Sequence, residues 1–188
     1  YILKNNNLEV GRDDPSKDVY VRTDIQFAAM AGAFISGEGD YVSLFEPTAS
    51  NLEKEGNGYI VASLGELSGN VAYTAYSALN SYIKDNEDTV LKFTRAIYKA
   101  QNWIYSHTDE EVAEAILKHF PDNSKNDLKV AISNYRSIEA WSKDPLLNEE
   151  SLNKLMDIVE LAGELDSRVP YEKIVTTKFA DKVKKEQK

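Results

Sequence analysis

The sequence predicts a mixed α/β chain in which an alternating strand–helix region is followed by an almost wholly helical one. Three observations carry that reading. Short β-branched and aromatic runs alternate with helical segments over the first third of the chain. Clusters of Gly, Pro and Asp punctuate them. From Ser81 onward, apolar residues recur at helical spacing.

Residues 1–8 read as a helix already under way, following a strand outside the chain. Val19-Tyr20-Val21 is a short strand, preceded by the turn sequence Asp13-Asp14-Pro15-Ser16. Residues 25–35 place Ile25, Ala28, Ala29, Gly32 and Ile35 on one helical face, and Gly37-Glu38-Gly39-Asp40 ends that helix. Residues 41–45 read as a buried strand. Pro47 suits the first turn of a helix running to Glu55. After Gly56-Asn57-Gly58, residues 59–64 supply a third strand, and 71–75 a fourth.

This alternation implies right-handed crossovers and a parallel sheet covered by helices. The sheet needs more strands than the segment supplies, and an open edge would pair with another chain. The second half follows a different period. Glu87 and Asp88 open a helix to Tyr105 whose stripe is Val90, Phe93, Ile97, Ala100 and Ile104. Thr108-Asp109-Glu110-Glu111 is a capping-box sequence for the next helix, which stops before Pro121. Residues 127–141, 149–161 and 179–188 complete the helical series. Trp103 and Trp141 fall on helical stripes and read as core.

Composition narrows the function. With 22 Lys and Arg against 31 Asp and Glu, the net charge is -9, which disfavours a phosphate-binding surface. The basic end 182–188 carries Glu186 and adjoins Asp181, and reads as a solvated helix end. The absence of cysteine removes thiolate metal sites, disulfides and thiol nucleophiles. His107 and His119 lack metal-ligand spacing. No Gly-rich phosphate loop, Ser–His–Asp set or closely spaced carboxylate pair is present, so the chain reads as no enzyme and needs no cofactor. No stretch approaches the ~20 apolar residues of a membrane span.

The run Ala28-Ala29-Met30-Ala31-Gly32-Ala33-Phe34-Ile35-Ser36-Gly37-Glu38-Gly39-Asp40-Tyr41, followed by Phe45-Glu46-Pro47, resembles a known family. It is that of the ABC-transporter solute-binding proteins for nitrate, sulfonates, taurine and thiamine pyrimidine precursors, of the type II periplasmic-binding fold. The resemblance continues through Asn86-Glu87-Asp88-Thr89-Val90, Ala96-Ile97-Tyr98-Lys99-Ala100, Trp103-Ile104, Val169-Pro170-Tyr171 and Phe179-Ala180. It covers nearly the whole chain, in order.

The resemblance implies a bilobed clamp. Residues 1–69 would form most of the second lobe, an incomplete three-layer αβα unit. Residues 70–80 would cross between lobes, and 81–188 would return as helices to the first. Implied partners are a small polar organic ligand, ABC permease subunits and the N-terminal portion of the same protein. Implied localisation is extracytoplasmic, as a periplasmic protein or a lipoprotein anchored outside this chain. The preferred ligand is the pyrimidine precursor of thiamine. A sulfonate- or nitrate-type binding protein is one alternative, and the pyridoxal-phosphate enzyme branch that makes the thiamine pyrimidine is another.

Ligands of open parallel sheets sit beyond the carboxyl ends of the strands. That rule selects three places. Thr23 and Asp24 follow the first strand, where either could instead cap the helix from Ile25. Glu46 and Pro47 follow the second; Glu46 could accept from a ligand amino group or simply favour a helix start. Tyr73 and Tyr76 on the crossing segment could stack on a flat ring or pack at the rim. Strand alternation would put them on opposite faces.

Overall fold

Val10–Arg12 (β1) and Val19–Val21 (β2) form a parallel pair in the register Val10 to Val19, Gly11 to Tyr20 and Arg12 to Val21. The structure, a computed structural model, describes residues 1–12 and 14–186. Asp13 of the expected turn, and Gln187 and Lys188 of the basic end, lie outside the described residues.

The link between the strands turns tightly. Its Lys17 ammonium meets Glu9 at 2.9 Å, and Asp14 accepts from the Ser16 amide and hydroxyl. Gly11 faces this turn, and a Cβ there would lie 2.2 Å from the Asp14 carbonyl oxygen and 2.8 Å from Lys17 Cγ. Only a hydrogen fits without moving backbone. Gly11→Ala is therefore expected to cost about 1–3 kcal/mol. Urea unfolding followed by circular dichroism would show it, and an unshifted midpoint would rule it out.

The helices follow in order: α1 (Ile2–Asn5), α2 (Met30–Ile35), α3 (Thr48–Lys54), α4 (Leu64–Ser68), α5 (Asn80–Asp85) and α6 (Glu87–Ser106). Then come α7 (Asp109–Ile116), α8 (Lys125–Ser137), α9 (Glu149–Leu161), α10 (Tyr171–Ile174) and α11 (Lys178–Glu186). Several begin or end where the sequence marks them. Gly37, at φ 87°, closes the turn after α2. The helix expected over 25–35 starts later, with a 3-10 turn at Phe27–Ala29 leading into α2.

Three expected strands differ from the structure. Residues 41–45, 59–63 and 71–75 lie in neither helix nor strand, and Leu64, the last residue of the expected third strand, begins α4. The physical reason is common to them. Residue preference makes a chain extended, but a strand exists only where a neighbour accepts and donates along its backbone. Among the described residues, the only paired strands are β1 and β2.

The chain divides into two compact units, Tyr1–Ser68 with Asp109–Ile138, and Gly69–Thr108 with Glu139–Lys188. The segment Asp109–Ile138 groups with the first unit rather than with its helical neighbours in sequence.

In the first unit, α7 packs on α8 and α8 on α3. Their buried residues are Val112 and Ala113, Leu128, Ala131 and Ile132, and Leu52. The 128, 131, 132 spacing is the one that lines a single helical face. Helix α8 opens with a capping box: the Ser124 hydroxyl accepts from the Asp127 amide, and the Asp127 carboxylate accepts from the Ser124 amide at 3.0 Å. Lys54 Nζ adds an ion pair at 2.6 Å to Asp127.

Those donors, Lys54 first and Ser124 next, hold the Asp127 carboxyl down to about 2. A depressed carboxylate stabilises the fold above its unfolded value near 3.8, and that contribution is lost as pH falls towards 2. Lys54 is largely exposed, so screening limits the effect. Asp127→Asn should lower stability at neutral pH by on the order of 1 kcal/mol. The gap between variant and parent in thermal unfolding should close as pH drops from 4 through 2. A gap that stays constant over that range would exclude the carboxylate as its cause.

In the second unit, α11 packs on α6, and the buried residues are Leu152, Met156, Phe179, Ala180 and Val183. Arg95 Nε and Nη2 donate to the two Glu186 oxygens at 2.8 and 3.0 Å. Asp144 ties a loop down: one oxygen accepts from Lys184 Nζ at 2.5 Å, the other from the Leu146 amide, and its carbonyl from Gln101 Nε2. Trp103 and Trp141, expected in the core, are only half-buried. Trp103 stacks on His107 with ring centroids 4.2 Å apart, and the Trp141 carbonyl oxygen accepts from the Tyr105 hydroxyl.

Candidate functional site

Two of the three expected places lie in the first unit, where an aromatic contact joins them. The rings of Phe27 and Phe45 are 5.6 Å apart and tilted by 52°. Phe27 starts the turn that follows Thr23 and Asp24, and Phe45 immediately precedes Glu46 and Pro47. The pair therefore draws the end of β2 towards the start of α3.

At the end of β2, Arg22 organises the charge. Its Nε and Nη2 donate to the two Asp24 oxygens at 3.0 and 2.7 Å, and its Nη1 donates to Glu38 at 2.8 Å. Both partners raise the guanidinium pKa, and the Arg22 hydrogen bonds lower that of Asp24. Asp24 therefore makes an ion pair instead of the helix cap considered for it. The 3-10 turn has Gln26 at its N-cap with no side-chain hydrogen bond. Between Arg22 and Lys54 the sequence has no other Lys or Arg, and Asp40 and Glu46 add negative charge.

At the start of α3, the Glu46 carboxylate is a hub. Oε1 accepts from the Ser50 hydroxyl at 2.8 Å and from Asn134 Nδ2 at 2.6 Å, and Oε2 accepts from the Ser50 amide at 3.2 Å. Asn134 Nδ2 also donates to Ser50 Oγ at 3.2 Å, and the Glu46 amide donates to the Tyr135 hydroxyl at 3.1 Å. The donors fix the orientation of the Asn134 amide, since only its NH2 can serve both acceptors. Glu46 thus anchors α8 to the start of α3 and caps the Ser50 amide. Pro47 follows across a cis peptide bond and stands at the N-cap position. One oxygen, Oε2, takes a single hydrogen bond and keeps room for another donor.

The third place is in the second unit. Residues around Tyr73 and Tyr76 lie in neither helix nor strand and are pinned where the Ala72 amide donates to the Ser151 carbonyl at 3.1 Å. Both rings are largely exposed. Tyr76 sits edge-on to Phe93, with centroids 4.8 Å apart at 81°. Strand alternation does not apply to a segment without a ladder, so the opposite-face expectation has no basis in the structure.

The sequence reading missed Ser50, Asn134 and Tyr135 at Glu46, and Glu38 at Arg22. Ser50 could have been found, four residues after Glu46 on the same helix start. Asn134 and Tyr135 lie nearly ninety positions away, and no local pattern announces them. Among the described residues, no group of three or more His, Asp or Glu is placed to hold a metal ion. No helix among them is long and apolar enough to cross a membrane.

The model of the NMT1-like family matches residues 1–118. Over 187 residues, and 100% of its own length, the chain is 44% identical to the Bacillus subtilis (strain 168) protein named "Putative binding protein YtlA". It spans 54% of that relative's length. No solved structure matches the chain.

Proposed function

The chain belongs to the NMT1-like family, and on that premise we propose that it is part of the solute-binding component of an ABC importer. A mixed α/β, mostly helical chain with a small parallel sheet fits a partial periplasmic-binding-protein-like fold of that family. The relative's name as a binding protein supports a substrate-binding role. In this reading the protein works outside the cytoplasm and hands its ligand to permease subunits. Residues 1–69 belong to one lobe, 70–80 cross over, and 81–188 return. Closure around the ligand supplies affinity, because contacts from both lobes favour the closed state.

The preferred ligand is the pyrimidine precursor of thiamine, and the observation that carries the preference is Glu46. Glu46 follows Phe45 of the Phe27–Phe45 aromatic pair in the chain and retains acceptor capacity at Oε2, a combination suited to a flat ring bearing an amino group. Thr23, Asp24 and Pro47 line the same strand ends in this reading, and Tyr73 and Tyr76 offer stacking surfaces.

The charge around Arg22 weighs against the sulfonate or nitrate alternative. Its fork is spent on Asp24 and Glu38, so an anion would have to displace a carboxylate. The enzyme alternative lacks support in the residues: neither His107 nor His119 lies near the Glu46 cluster in sequence. Calorimetry on the full-length protein tests the proposal. Saturable binding of the pyrimidine is expected; binding of a sulfonate with none of the pyrimidine would overturn the ligand preference. Turnover of either compound would overturn the binding role.

A further inference from the structure

Of the asparagines in the chain, Asn57 alone is followed by glycine, and the structure fixes its neighbours for separate reasons. Helix α3 ends in a left-handed turn, with Gly56 at φ 75°. There the Gly56 amide donates to the Glu53 carbonyl at 3.0 Å and the Asn57 amide to the Leu52 carbonyl at 3.1 Å. Gly58 is required by space rather than by φ. A Cβ there would lie 2.7 Å from Leu52 Cδ2 and 3.0 Å from Phe34 Cε1. Any side chain would strike the buried Leu52, so glycine is the residue that fits after Asn57.

Asn57 is exposed, and its carboxamide donates one long hydrogen bond, from Nδ2 to the Glu55 carboxylate at 3.2 Å. Among the described residues the Gly58 amide has no acceptor. With no side chain on Gly58, its nitrogen has an open approach to the Asn57 side-chain carbonyl. Other asparagines lack this combination. Asn51, Asn102, Asn134 and Asn153 stand inside helices, where the next amide belongs to the helical ladder. Asn123 precedes Ser124, whose amide is committed to Asp127 at 3.0 Å, and its carboxamide oxygen accepts from Asn51 at 2.9 Å. Asn70 precedes β-branched Val71.

We propose that Asn57–Gly58 is a self-modification site, where the Gly58 backbone nitrogen attacks the Asn57 side-chain carbonyl and converts the residue to isoaspartate. The nitrogen gives its proton to hydroxide or water and bonds to Asn57 Cγ. The Cγ–Nδ2 bond breaks, and the leaving nitrogen takes a proton and departs as ammonia. Water then opens the succinimide ring: attack at the Asn57 main-chain carbonyl yields isoaspartate, and attack at Cγ yields aspartate. Water enters and ammonia leaves, with no oxidant or reductant. The isoaspartyl product routes the backbone through Cβ and Cγ, which lengthens it by an atom. That length enters a closed loop, because the Ile60 amide is tethered to the Glu53 carboxylate of α3 at 2.9 Å. Gly58 is pushed from its seat against Leu52 and Phe34, and the end of α3 loosens. Either product also adds a negative charge beside Glu55. The inference is independent of the family and of the ligand.

Ageing the full-length protein at mildly alkaline pH and physiological temperature tests it, read by peptide mass mapping and enzymatic methylation of isoaspartate. Asn57 should exchange NH2 for OH at least about tenfold faster than Asn70, Asn123 or Asn153, and faster still as pH rises. Isoaspartate should appear at position 57 beside aspartate. Asn57→Gln, which would have to close a larger ring, should abolish methylation there and keep the parent's fold. Fresh Asn57→Asp carries the charge without the longer backbone. It should keep the parent's amide protection at Leu52, whereas the isoaspartate-containing aged fraction should lose protection by about tenfold or more. Deamidation at Asn57 no faster than at Asn70, or aspartate formed with no isoaspartate, would overturn the proposal. Isoaspartate at 57 with Leu52 protection unchanged would overturn the loosening of α3.

Discussion

Leu128→Ala is expected to destabilise the first unit by about 2–4 kcal/mol. Leu128 is 2% exposed and lies on the face of α8 that also buries Ala131 and Ile132. Helix α7 meets that face with Val112 and Ala113. Removing the isobutyl group forfeits its transfer free energy and leaves a cavity. Its neighbours cannot fill it easily: two of them are alanines, and β-branched Val112 and Ile132 have few rotamers to offer. Amide exchange separates this from a global effect. Protection at Val112, Ala113 and Ile132 should fall by roughly 30- to 1000-fold, matching the free-energy loss. A fall below about tenfold would mean that the core around α8 relaxes far more than its packing implies.

Replacing Glu46 should have the other large effect, because a hydrogen-bond network and the proposed ligand contact meet there. Glu46→Ala strands the Ser50 amide and one hydrogen of Asn134 without their acceptor and removes a charge-assisted network. The expected cost is about 2–3 kcal/mol. Glu46→Gln keeps one acceptor but turns an NH2 towards a donor already in place, and should cost about 1 kcal/mol. The two roles separate by comparison with Asn134→Ala. That variant also loses part of the network, yet it relieves Glu46 Oε1 of one of its two donors. If Glu46 accepts from the ligand, Glu46→Gln in the full-length protein should weaken pyrimidine binding at least tenfold, while Asn134→Ala should leave it equal or tighter. Equal losses in all three variants would make Glu46 a purely structural anchor. Calorimetry beside thermal unfolding distinguishes these outcomes.

Most helices were legible from the sequence for a local reason. α6, α8, α9 and α11 carry acidic or capping residues at their starts and apolar residues at a 3.6-residue period, and both signals act within a few turns. Their ends were less legible; α8 runs Lys125–Ser137 where 127–141 was expected. Residues 41–45, 59–64 and 71–75 mark the limit of that reasoning. Their composition favours extended backbone, but a ladder needs a neighbour, and composition does not say whether one is present. β1 was not anticipated: with only three residues and a glycine at its centre, it carries little strand signal of its own.

The candidate site divides in the same way. The sequence by itself determined that Thr23 and Asp24 follow a strand and that Glu46 and Pro47 stand at the start of a helix, because β-branched, Pro and acidic residues act on the backbone beside them. It also determined the acidic balance that leaves Arg22 as the lone cation between Lys17 and Lys54. Only the tertiary structure decided what those groups do. Arg22 turned to Asp24 and Glu38 rather than outward, and Asn134 and Tyr135 arrived at Glu46 from a helix nearly ninety residues away. A buried hydrogen bond depends on which surfaces meet. That is settled by packing of whole faces, and no short stretch of sequence contains it.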